Sequence, residues 1–147
     1  KKGFCVIDFG VRYKNYCTDT TRTIYLGKPS KKEIKIYGFL LKVQERAIAK
    51  VKKGERCAKL FEDVKKELGK YSRYFIHGLG HGFGVKIHEF PDLTEKSKHK
   101  IKGNSVFTIE PAIYLNNFGI RIEDDILVKD RVEVLTKVGK VLKIFDF

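Results

Sequence analysis

The sequence has no methionine, only three cysteines and no long apolar run, and each shortage narrows what the chain can be. Without methionine, and opening directly into Lys-Lys-Gly-Phe, it reads as a piece of a longer polypeptide. Cys5, Cys17 and Cys57 cannot all pair, which argues against a disulfide framework and for a reducing, cytoplasmic setting. The longest apolar runs, such as Tyr37 to Leu41, fall far short of the roughly 20 residues needed to cross a bilayer, so no membrane partner is expected. The apolar stretch before the first acid, Asp8, is too short for a signal peptide. No internal repeat or low-complexity linker divides the chain, so residues 1–147 read as a single domain.

What is present fits a folded protein. A chain of 147 residues can bury a real core, and 42% hydrophobic with 33% charged residues is ordinary globular composition. The net charge of +13 invites a nucleic-acid or ribosome-binding reading. Its distribution argues otherwise: lysines outnumber arginines 24 to 7, are spread along the whole chain and carry no RNA-binding or zinc-finger signature. Most of this charge reads as solvated surface, with a patch for an acidic partner as the second reading.

Two β-branched and aromatic runs, Phe4 to Tyr13 and Tyr16 to Leu26, flank Lys14-Asn15 and predict a hairpin. Ser30 is placed to cap a helix from Lys31 to about Lys52, with Ile34, Tyr37, Leu41, Ile48 and Val51 at helical spacing. A second helix is predicted from about Ala58 to Leu68, with Leu60, Phe61, Val64 and Leu68 on one face and Gly69 at its end. Strands are expected at Tyr74 to His77, Val85 to His88, Ser105 to Glu110, Gly119 to Lys129 and Val132 to Leu135. Two long helices on a mostly antiparallel sheet make an α+β fold.

The chemistry concentrates in the β segments. Asp8, inside Val-Ile-Asp-Phe-Gly, is a carboxylate in an apolar strand and needs a partner or a cation. If Lys14-Asn15 is a two-residue turn, Gly10 faces Asp19, and Asp8 is Asp19's diagonal neighbour, about 7–8 Å away on the same sheet face. The segment from His77 to Glu89 holds three of the four histidines, His77, His81 and His88. Its four glycines (Gly78, Gly80, Gly82, Gly84) exclude a helix and predict an extended loop with imidazoles turned inward. His99, between lysines, reads as surface. Glu110 ends an apolar strand before Pro111, and alternation places Arg121, Glu123 and Asp125 on one face. Four carboxylates and one imidazole would match the charge of two divalent cations. Such oxygen-rich ligation favours Mn²⁺ or Co²⁺ over structural zinc, with Zn²⁺ or Fe²⁺ as further possibilities.

Asp8, Asp19, His81, Glu110 and Glu123, in that order and spacing, resemble the five metal ligands of the pita-bread metallopeptidases. The segment His77 to Glu89, with Asp19-Thr-Thr-Arg22-Thr, Thr108-Ile-Glu110-Pro111 and Arg121-Ile-Glu123-Asp124-Asp125, resembles the proline-specific branch, prolidases and Xaa-Pro aminopeptidases. The resemblance implies a pita-bread fold, of which this chain would be the C-terminal part of the catalytic domain, lacking its first helices and strands. It implies a peptide substrate with proline at the second position and, for the longer parent, a possible homodimer. Asp8 would hold one ion, His81 and Glu110 the other, with Asp19 and Glu123 bridging. Glu110 would also move the proton, His88 would stabilise the oxyanion, and His77 and Arg121 would shape the proline pocket and orient Glu123. Methionine aminopeptidases share the ligand set and are the first alternative; a non-catalytic pita-bread binding module is the second.

Overall fold

The computed structural model describes residues 2–146. The Lys14-Asn15 turn is realised, with both residues at positive φ (46° and 70°), the geometry of a two-residue hairpin. It joins β2 (Arg12–Tyr13) to β3 (Tyr16–Cys17), and beyond them β1 (Gly3–Phe9) pairs antiparallel with β4 (Thr20–Leu26). The long strand expected from Phe4 to Tyr13 is therefore interrupted at Gly10 and Val11. The register survives the interruption: Tyr13 faces Tyr16, Arg12 faces Cys17 and Asp8 faces Thr21.

Helix α1 (Lys31–Lys50) begins at Ser30, which closes a capping box with Glu33. Helix α2 (Cys57–Leu68) ends at Gly69, whose φ of +53° favours a residue without Cβ. The buried face of α1 is Ile36, Tyr37, Leu40, Val43, Gln44 and Ala47, rotated from the predicted stripe. Ile34 is left exposed, while Gln44 is buried on the inner face and hydrogen-bonds a buried carboxylate.

The remaining strands are shorter and more numerous than predicted. Residues Gly69–Tyr74 form a 3₁₀ helix where a strand was expected to begin, and 85–88 are bends. Instead β5 (Gly80–Gly82) and β6 (Glu89–Leu93) flank that segment. Strand β7 (Val106–Ile109) stops before Pro111, which cannot donate to a ladder. A second hairpin follows, β8 (Ala112–Leu115) with β9 (Phe118–Arg121), then β10 (Asp124–Val128) and β11 (Val132–Val134). The expected strand from Gly119 to Lys129 is thus split at Ile122 and Glu123, where Glu123 N–H donates to Thr21 O at 3.1 Å. Short β12 (Ile144–Phe145) lies parallel to β4.

The sheets run β11-β10-β7-β5-β6 and β1-β4-β12, both helices pack against the former, and the core between them includes Leu40, Val43, Leu60, Val64, Leu79, Leu93 and Phe107. Phe4 binds the smaller sheet to α1 and β9 through Tyr25, Tyr37 and Phe118. Among the described residues no helix is long and apolar enough to cross a membrane.

Candidate metal centre

One cleft of about 640 Å³ is lined by all eight residues singled out for chemistry: Asp8, Asp19, His77, His81, His88, Glu110, Arg121 and Glu123. His81 is central and sits on β5 between two glycines. A Cβ on Gly80 would lie 1.9 Å from Thr108 O, and one on Gly82 would lie 2.3 Å from Phe90 O. The strands on either side therefore approach as closely as backbone allows, and only glycine fits beside the imidazole.

The tautomer of His81 follows from its neighbours. Nδ1 lies 3.0 Å from Gly82 O, which can only accept, so Nδ1 carries a proton and Nε2 is the nitrogen left to act as a ligand in the neutral ring. Nε2 faces Asp19 Oδ2 and Glu110 Oε1, each at 3.5 Å. Asp19, His81 and Glu123 each offer a donor atom within 4.8 Å of the others. Asp8 is apart from this trio: its half-exposed carboxylate is drawn to Arg121 Nη2 in an ion pair. The five candidate ligands thus share a cleft, three of them converge tightly, Glu110 touches the imidazole and Asp8 faces a guanidinium.

Arg121 and His77 belong to one hydrogen-bonded chain. Arg121 Nε donates to Thr21 Oγ1 at 3.0 Å, and Thr21 donates to Glu123 Oε2 at 2.5 Å. Arg121 Nη1 donates to Tyr114 Oη at 3.0 Å. His77 Nδ1 donates to Gly78 O, so its Nε2 can accept from the Tyr114 hydroxyl at 3.2 Å. Burial holds His77 below the usual imidazole range, consistent with a neutral ring. His88 packs against His81, ring centres 4.2 Å apart. His99 stands outside the cleft, but it is not simply solvated: Nε2 lies 3.2 Å from Asp92 Oδ1 and its ring lies against Phe90.

Four residues that sequence reasoning gave no role hold the site in place. Thr108 Oγ1 accepts from His81 N–H at 3.1 Å and donates to Glu110 Oε1 at 3.0 Å. Asp125 Oδ2 accepts Asp19 N–H at 3.3 Å, and its Oδ1 has no hydrogen-bond partner among the described residues. Asp124, wholly buried, receives Arg22 Nη2 at 2.6 Å, Gln44 Nε2 at 2.8 Å and Lys140 Nζ at 2.8 Å. Burial works against its charge, but these three donors hold the carboxyl below its ordinary range. Arg22 Nη1 also donates to Glu123 O at 2.5 Å. The faint signal for all four was their nearness to a candidate ligand: Thr108, Asp124 and Asp125 lie one or two positions away, and Arg22 lies three from Asp19.

The donor set fits divalent cations. Burial is the leading cause that pushes Glu110 up to about 7 and Glu123 up to about 8, with neighbouring carboxylates adding to it. Asp19 is raised by burial and by Asp8. Carboxyls crowded in this way retain protons unless positive charge is supplied, and one imidazole with several oxygens suits a hard or borderline ion.

Residues 1–130 match the model of metallopeptidase family M24. The chain is similar to a Pyrococcus furiosus protein described as an Xaa-Pro dipeptidase, 41% identical over 142 residues, covering 93% of this chain and 40% of that protein. Among solved structures it resembles a prolidase from Thermococcus sibiricus at 38% identity and TM-score 0.92, covering 98% of this chain and 41% of that one. An X-Pro aminopeptidase from Thermotoga maritima matches at 37% identity and TM-score 0.90, covering 96% of this chain and 41% of the other. The fold is the α+β pita-bread architecture expected from the sequence, and the chain spans about 40% of the length of these relatives.

Proposed function

The chain belongs to metallopeptidase family M24, and from that premise we propose that it carries the two-metal site of a hydrolase cleaving the bond between an N-terminal residue and proline. The observation that carries this reading is the convergence of Asp19, His81 and Glu123 in a cleft that also holds Asp8 and Glu110. The proline preference is supported by the names of its relatives, an Xaa-Pro dipeptidase, a prolidase and an X-Pro aminopeptidase. Residues 1–147 are read as a single, partial catalytic domain.

Asp8 would hold one ion, His81 and Glu110 the other, and Asp19 and Glu123 both; Mn²⁺ or Co²⁺ suits this donor set best. Bound ions supply Lewis acidity, which polarises a scissile carbonyl and makes water a nucleophile near neutral pH. Glu110, whose Oε1 accepts from Thr108, would take the proton from that water and return it to the leaving nitrogen. His88, beside His81 on the cleft wall, donates to the substrate's carbonyl oxygen as charge develops. The His77–Tyr114–Arg121 chain fixes the wall against which the proline ring rests.

The deciding experiment assays Xaa-Pro dipeptides against Met-Ala-Ser, with Mn²⁺ or Co²⁺ added, on the chain and on any longer polypeptide that contains it. Turnover of Met-Ala-Ser alone would replace the proline reading with methionine aminopeptidase activity. Glu110→Ala should lower Xaa-Pro hydrolysis at least about a hundredfold; unchanged turnover would remove Glu110 from the proton path.

Thr108 offers a subtler check. Thr108→Val leaves the His81 N–H and Glu110 Oε1 unpartnered and should weaken Mn²⁺ binding about 10–100-fold by calorimetric titration. Thr108→Ser should recover most of that loss, because it restores the hydroxyl. Equal affinity in all three proteins would show that the hydroxyl does not position the ligands.

A further inference from the structure

The cleft cannot account for the net charge of +13, since five carboxylates and a single arginine line it. Part of the surplus gathers at a groove that shares no residue with the cleft. Two depressions, of about 490 and 730 Å³, meet over Lys32, Ile36, Lys70 and Tyr71. The floor is apolar: Ile36 and Leu68 are buried, and Phe39 and Tyr71 are half-buried. The rim carries Lys31, Lys32, Lys35 and Lys70.

We propose that this groove docks an acidic segment of a partner protein, with an apolar side chain of that segment seated on the Ile36–Phe39–Tyr71 floor. Three observations support that occupant. First, Lys31, Lys32 and Lys35 crowd the N-terminal end of α1, where backbone amides already place positive charge and where cations reduce helix stability. Second, among the described residues none of the four rim lysines forms an ion pair. The two acids of the groove are engaged elsewhere: Glu33 by Ser30 and the Tyr25 hydroxyl, Glu67 by Arg46 and Lys50. The rim is therefore an unneutralised field of one sign around an apolar centre. Third, the aromatic rings are not open platforms for bases. Phe39 and Tyr71 pack on one another at 5.6 Å, tilted 48°, and the Lys70 ammonium lies 5.3 Å from the centre of the Tyr71 ring. That arrangement favours a peptide over single-stranded RNA, whose binding depends on free ring faces.

The test is fluorescence anisotropy with a labelled peptide, Glu-Asp-Leu-Asp-Glu-Phe-Glu-Asp, against the same peptide with its acids replaced by lysine and against oligouridylate. The acidic peptide should bind at 50 mM NaCl and weaken in 500 mM NaCl. Lys32→Glu with Lys70→Glu should lower its affinity at least about tenfold, whereas Lys98→Glu with Lys102→Glu should leave it unchanged. Tyr71→Ser, checked for folding by circular dichroism, should weaken binding while keeping its salt dependence. Absence of peptide binding, equal loss in both charge-reversal pairs, or tighter binding of oligouridylate than of the peptide would each overturn the proposal. None of these readouts depends on metal or turnover.

Discussion

Raising the pH of the metal-free chain from about 4 to about 8 should lower its unfolding free energy by several kcal/mol, and Mn²⁺ should restore much of the loss. Glu110 and Glu123 have folded pKa values of about 7 and about 8 against an ordinary 4.5, and Asp125 about 7 against 3.8. In each case burial is the main cause. A carboxyl whose folded pKa is raised binds its proton more tightly folded than unfolded. Its contribution is therefore complete below about pH 4 and is lost as pH rises through 7 and 8. At ~1.4 kcal/mol per pKa unit, Glu123 alone accounts for on the order of 5 kcal/mol. That is comparable with the whole stability of a domain this size. Divalent ions compete with those protons, so the stabilisation by Mn²⁺ should be small at pH 5 and large at pH 8. Thermal melts across that range, with and without Mn²⁺, read both effects. Stability that rises smoothly with pH in the metal-free chain would contradict the account.

The second large effect is expected at Asp124. Its carboxylate is fully buried and receives three donors, two of them charged: Arg22 from β4, Gln44 from α1 and Lys140 from the segment before β12. Asp124→Ala leaves the Arg22 guanidinium buried beside no anion, which should cost about 3–5 kcal/mol in urea unfolding. Because Arg22 also holds Glu123 O, the same change should disturb the cleft. Replacing Asp124, Arg22 and Gln44 together by apolar residues should cost less than Asp124→Ala alone. If the single variant were within about 0.5 kcal/mol of wild type, the cluster would not be holding the elements together.

These two clusters also mark where sequence reasoning stopped. The hairpin, both helices, the start of α1 and the end of α2 were legible because Lys14-Asn15, Ser30 and Gly69 carry local signals that nothing distant overrides. The candidate ligands were legible because carboxylates and imidazoles in apolar or glycine-rich segments are out of place without a chemical reason. The Gly80–Gly82 strand was not legible: glycine lowers strand propensity, and only the close approach of Thr108 and Phe90 explains it. The burial of Gln44 on the inner face of α1 was not legible either, because its amide is satisfied by Asp124, a contact across 80 positions. Asp125's hold on the Asp19 amide and Arg121's on Asp8 span more than a hundred residues. Such pairings leave no trace in the spacing of either partner.

The uninterrupted pairing sum of the first hairpin, from Gly3 opposite Leu26 to Tyr13 opposite Tyr16, bears on which length changes the segment tolerates. Asp8 and Asp19 meet the same cleft because five residues lie between Asp8 and the turn and three between the turn and Asp19, an even difference that leaves both carboxylates on one face. Inserting one residue into either arm would swing the other carboxylate to the far side of the sheet. Adding one to each arm would merely lengthen the ribbon's outer end. Drift in this stretch is therefore constrained by parity as well as by composition: Gly10 has no room for a Cβ, which would lie 2.1 Å from Thr18 O, and the residue count can change only in matched pairs.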